Sequence, residues 1–131
     1  MVKFAYTILY VPDPGQSITF YEKAFGFKKK FLTPDNSYGE VVSGETTLSF
    51  ASVTLGQSNL KDGFTVSKLQ DKPFGIEIAF ATPDVERAVK SAVAAGATLV
   101  EKPTTKPWGQ TVAYVRDTNG FLIEVCTPIE N

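Results

Sequence analysis

Two glutamates stand in runs that are otherwise apolar, Glu77 within IEIAFA and Glu124 within FLIEVC. An ionised carboxylate in such a strand is costly to bury unless it is paired, hydrogen-bonded or open to cavity water. Each is therefore an outward-facing residue, a structural hydrogen-bonding residue or a ligand contact. If the two share a cavity, repulsion and desolvation raise at least one pKa, and the couple serves as acid and base or attracts a cation. Tyr6 and Tyr10 fall on one face of the run FAYTILYV together with Ile8, as core residues or as flat surfaces whose phenols orient a ligand. Trp108, between Pro107 and Gly109, either lines a pocket or caps an apolar edge. Cys126 shares the strand face of Glu124, but no base adjacent in sequence would make it a thiolate, so it reads as a small buried hydrophobe. Lys28, Lys29 and Lys30 read as a solvated strand edge that discourages aggregation.

The types that are missing narrow the chemistry. The chain of 131 residues has no histidine, which excludes a three-histidine zinc site and any Ser/His/Asp triad. With 13 Lys+Arg against 14 Asp+Glu there is no phosphate-neutralising surplus, and no nucleic acid partner is expected. A composition of 43% hydrophobic and 21% charged residues suits one ordinary domain, stable without metal or disulfide, in keeping with a single cysteine. Met1 to Val11 holds no apolar segment of the length that a signal peptide or membrane span needs, so a cytoplasmic protein without a membrane partner is expected.

The elements that must position these residues occur twice. A strand over Phe4–Val11 is broken by Pro12-Asp13; Asp13 suits a helix N-cap and Pro14 the first helical position. Ile18, Tyr21 and Phe25 form one helical face, and Gly26 ends it. Strands are predicted over Phe27–Leu32, Tyr38–Ser43 and Thr46–Val53, the last two joined at Gly44-Glu45. The order returns with a strand over Ile76–Ala81, a break at Pro83-Asp84 and a helix with a stripe of Val85, Ala88, Val89, Ala92 and Val93 ending at Gly96. Strands over Ala97–Lys102, Gln110–Arg116 and Phe121–Thr127 follow, with Asn119-Gly120 as a hairpin signal. Pro12 and Pro83 are 71 positions apart, as are Asp13 and Asp84. This is a tandem repeat of a half too small to bury its own sheet. Between the halves Thr54–Phe74 reads as a linker or cover, with a possible edge strand at Phe64–Val66.

Three segments, Tyr6–Phe27, Gly75–Ala97 and Pro107–Val125, together cause the sequence to resemble the vicinal oxygen chelate superfamily, which includes glyoxalase I, bleomycin-resistance proteins, fosfomycin-resistance enzymes and extradiol dioxygenases. The resemblance implies an α+β fold of two tandem βαβββ modules whose strands form a curved, cavity-enclosing mixed sheet, commonly in homodimers. Module one would be residues 1–53, the linker 54–74 and module two 75–131 of a single domain. Metal-dependent members place ligands on the first and fourth strands of each module, and those positions fall here on Tyr6, Ser49, Glu77 and Glu124. Tyr6 and Glu77 are 71 positions apart and Ser49 and Glu124 are 75 apart, so each pair occupies equivalent places.

Only Glu124 is a standard ligand of that pattern. A hard ion accepts carboxylates and water, but softer ions that prefer nitrogen find nothing to hold them, so no tightly held metal and no cofactor are expected. The leading reading is a metal-independent small-molecule-binding protein, similar to bleomycin-resistance proteins that sequester an aromatic or cationic drug, with Tyr6, Tyr10, Ser49 and Trp108 as ligand contacts. The alternative is a glyoxalase-like lyase or isomerase with Glu77 or Glu124 as catalytic base and a weak divalent ion or none. That chemistry also needs a group to stabilise an enolate, and no lysine or arginine is evident in the sequence for it. A third possibility is an interaction module with a vestigial cavity.

Overall fold

The computed structural model describes residues 1–129. Strand β1 (Thr7–Val11) begins later than its apolar run suggests, which leaves Tyr6 just ahead of it. Helix α1 (Pro14–Phe25) follows, capped by Asp13, whose carboxylate accepts from the Gln16 N–H at 3.1 Å. Asn36 ties the same cap to a distant turn: its Nδ2 donates to Asp13 at 2.8 Å and its Oδ1 accepts from the Gly15 N–H at 2.8 Å. Gly26 ends the helix at a φ of 73°, a left-handed conformation that glycine adopts without a Cβ penalty. Strands β2 (Lys28–Leu32), β3 (Tyr38–Ser43) and β4 (Thr46–Ser52) complete the first βαβββ unit.

The expectation for the linker is corrected in two places. Val53–Asn59 forms a helix, α2, because Ser52 caps it by accepting from the Leu55 N–H at 3.0 Å. Phe64–Val66 is not a strand. Phe64 instead stacks on Tyr10 with ring centroids 4.6 Å apart, and both rings crowd Gly56, where a Cβ would lie 2.8 Å from each. A three-residue run without a ladder partner gains more by covering an aromatic than by pairing.

The second half repeats the order as β5 (Glu77–Ala81), α3 (Val85–Ala95), β6 (Thr98–Thr105), β7 (Thr111–Arg116) and β8 (Leu122–Cys126). Two compact units make up the chain, Met1–Val66 and the part from Ser67 onward. The first holds a four-stranded mixed sheet in the order β1-β4-β3-β2 and the second one in the order β5-β8-β7-β6; in each, only the first listed pair is parallel. The fold is thus α+β, two four-stranded mixed sheets with their helices. In the first unit Ile18, Tyr21 and Ala24 of α1 bury against Val11, Val41, Leu48 and Phe50. In the second, Val85, Val89 and Ala92 of α3 lie over Ala113, Val115, Ile123 and Val125. Strand alternation then turns Ser49, Glu77, Tyr114, Glu124 and Cys126 to the sheet face away from the helix.

Each sheet carries a bulge at the same place. The β2–β3 register shifts between Lys29 and Phe31, leaving Lys30 as the extra residue, and the β6–β7 register shifts between Leu99 and Glu101, leaving Val100. Among the described residues no helix is long and apolar enough to cross a membrane.

Candidate functional site

In the second unit, β8 is flanked by β5 on one side and β7 on the other, which sets three polar side chains on one face. Tyr114 is the direct cross-strand partner of Glu124, and its phenol donates to Glu124 Oε1 at 3.0 Å. Glu77 lies on β5 two residues before Ala79, the residue in register with Glu124, and its carboxyl hydrogen-bonds that of Glu124. Desolvation on the sheet face, that hydrogen bond and the charge of Glu124 all push the Glu77 carboxyl up, against a smaller downward pull from Tyr114. The Tyr114 phenol is pushed up to about 12 by desolvation, by its bond to Glu124 and by the charges of Glu124 and Glu77, so it remains a donor. Cys126 is pushed up to about 11 by burial and by its bond to Glu124, so it is a protonated thiol, as the sequence suggests.

Past the ends of β5 and β8 lies a cleft of about 550 Å³ walled by Pro83, Trp108, Gln110, Thr127 and Ile129. Trp108 is 68% exposed, yet its indole N–H donates to Gln110 Oε1 at 2.9 Å while Gln110 Nε2 donates to the Thr127 carbonyl at 2.8 Å. The ring is therefore held in one orientation before any ligand arrives, which lowers the entropy cost of stacking on it.

The first unit arranges its polar groups differently. Ser49 is fully buried, and its hydroxyl lies 3.4 Å from Glu40 Oε2. Glu40, its direct partner on β3, also accepts from the Tyr38 phenol at 2.6 Å and pairs with Lys30 at 3.7 Å. Tyr10 is engaged with Phe64, and Tyr6 is half-exposed ahead of β1. The structure thus brings Glu77 and Glu124 together, leaves Trp108 apart from them on the cleft with Gln110, and draws Ser49 toward Glu40.

Residue-by-residue reading misses Tyr114, Gln110, Tyr38, Glu40 and Lys30. A signal for two of them exists: the tight turns at Gly44-Glu45 and Asn119-Gly120 set hairpin registers that place Glu40 opposite Ser49 and Tyr114 opposite Glu124. Nothing comparable announces Lys30, whose direction depends on a bulge.

The residues at the positions implied for a metal fit one poorly. They are a phenol, a buried hydroxyl committed to Glu40, and two acids bonded to each other with Tyr114 donating to one. Among the described residues no three His, Cys, Asp or Glu side chains form a group that could hold a metal ion. Donors of this kind suit a proton or an organic cation better than a divalent ion.

The chain belongs to the Glyoxalase/Bleomycin resistance protein/Dioxygenase superfamily, whose family model matches residues 3–125. A comparison with curated proteins gives no match. Among solved structures it is similar to hypothetical protein SA1046 from S. aureus, with 23% identity, 98% of this chain and 95% of that one covered, and a TM-score of 0.81. It is similar also to a glyoxalase-related enzyme from Fulvimarina pelagi, at 21% identity over 98% and 89% with a TM-score of 0.79. A third is TioX from Micromonospora sp. ML1, at 19% identity over 97% and 100% with a TM-score of 0.71. At these identities the likeness is one of fold.

Proposed function

We propose that the chain is a small-molecule-binding member of its superfamily that sequesters an aromatic or cationic organic compound without a resident metal. The carrying observation is the Glu77–Glu124 pair with its Tyr114 donor; an exposed indole held by Gln110 at a cleft of the same unit supports it. A cationic group binds the carboxylates of Glu77 and Glu124, and a planar group stacks on Trp108. Tyr6, Tyr10 and Ser49 are proposed as further contacts, with homodimeric assembly and a cytoplasmic location, as the resemblance and the composition suggest.

A thermal-shift and tryptophan-fluorescence screen with planar cations, benzamidine among them, tests the reading. Binders raise Tm and quench Trp108, remain unconverted, and lose affinity in Glu77→Gln. Unchanged affinity in Glu77→Gln removes the pair from the site. Turnover of a hemithioacetal gives the protein instead to the lyase and isomerase class, with Glu77 as base. Stoichiometric uptake of Ni²⁺ or Zn²⁺ in a calorimeter contradicts the metal-free part, and sedimentation measures the assembly.

A further inference from the structure

The cleft that holds Trp108 does not end at the indole. A second depression of about 320 Å³ opens beside it, and Pro83 and Thr127 wall both. The two are therefore arms of one groove in the second unit, with Trp108 in the first arm and Asp84 and Glu86 in the other. At about 550 Å³ the first arm already has the size of a small-molecule site, roughly 300–1,000 Å³.

Each arm favours positive charge for a reason of its own. The indole N–H of Trp108 is spent on Gln110 Oε1, and Gln110 is itself tied to the Thr127 carbonyl. What the ring can still offer a ligand is its π surface, which attracts a cation. In the other arm Asp84 is committed to the cap of α3, where it accepts from the Arg87 N–H at 3.1 Å. Glu86, in the first turn of that helix, is exposed, and among the described residues no hydrogen bond or ion pair engages its carboxylate. The helix N-terminus contributes about half a positive charge, so two carboxylates leave this arm net negative. Among the described residues no lysine or arginine lines either arm.

We infer that the groove binds a planar organic cation of the amidinium or guanidinium class, with its ring stacked on Trp108 and its charge met by Glu86. The inference deepens the proposed function and takes the ligand's class from it. What it adds is a carboxylate on the same groove as the indole, which selects a cation over a neutral molecule of the same shape.

Trp108 is the one tryptophan of the chain, so its fluorescence reports this groove. The test titrates the full chain with benzamidine and with benzamide, a neutral amide of nearly the same shape. Benzamidine is expected to quench Trp108 at several-fold lower concentration than benzamide. Glu86→Gln, a change at an exposed position, should weaken benzamidine about two- to five-fold, the worth of one exposed charge pair, and leave benzamide unchanged. Equal quenching by the two probes, or quenching by neither, overturns the inference, as does unchanged benzamidine affinity in Glu86→Gln. Loss in Glu77→Gln with none in Glu86→Gln overturns it and leaves the proposed function standing; loss in Glu86→Gln with none in Glu77→Gln supports it and removes the Glu77–Glu124 reading.

Discussion

Gly120 occupies the turn between β7 and β8 at a φ of 91°, and a Cβ there would stand 2.8 Å from Arg116 Nη2, 2.8 Å from the Lys68 carbonyl carbon and 2.9 Å from its oxygen. Arg116 is buried and held by three main-chain acceptors: Gly120 O at 2.9 Å from Nε, Leu69 O at 3.0 Å from Nη1 and Lys68 O at 3.0 Å from Nη2. Gly120→Ala therefore does two things. It imposes positive φ on a residue with a Cβ, at a cost of about 1–2 kcal/mol. It also pushes the Lys68 main chain off the guanidinium, which removes a charge-assisted hydrogen bond worth about 1.5–3 kcal/mol. The expected loss is about 2.5–5 kcal/mol, and with an m-value of about 2 kcal/mol/M the urea midpoint falls by about 1.3–2.5 M. Gly44→Ala is the control: its φ is 58° and its Cβ would meet nothing within 4 Å, so only the backbone cost applies. Equal losses in the two variants would refute the claim that Arg116 clamps the segment before β5 to this turn.

Three further outcomes are expected. Asp13→Ala loses the bonds to the Gln16 N–H and to Asn36, and should lower stability by about 1–2 kcal/mol in urea melts, with Asp13→Asn retaining most of it. Glu77 has a folded-state pKa raised above 4.5, so its contribution to stability is present while it holds its proton and is lost as pH rises through the raised value. Glu77→Gln should therefore melt higher than the wild type at about pH 8 and show no such advantage at about pH 4; parallel melting curves at both would refute the upward shift of the Glu77 carboxyl. Trp108→Ala should weaken planar ligands about ten-fold or more in calorimetry while leaving the urea midpoint nearly unchanged, because the ring is exposed.

The repeat, the helix caps at Asp13 and Asp84, the glycine stops and most strand positions were legible in the sequence, because each depends on residues within a few positions of one another. The linker was misjudged for a related reason. Ser52 is a good cap, but Val53–Asn59 is polar enough to pass for a loop, and Phe64 finds its role only against Tyr10. At the site, alternation predicted the faces of Glu77 and Glu124. Tyr114 and Glu40 became visible as their partners only through strand register, and Lys30 through a bulge that no local pattern announces.

By itself the sequence determined two βαβββ halves and excluded histidine chemistry, since both follow from residue type and short-range periodicity. Tertiary structure alone decided that Glu77, Tyr114 and Glu124 share one sheet face, that an exposed indole is fixed by an amide, and that Glu40 stands opposite Ser49. These relations depend on strand register and side-chain direction, which residue type and short-range periodicity do not specify.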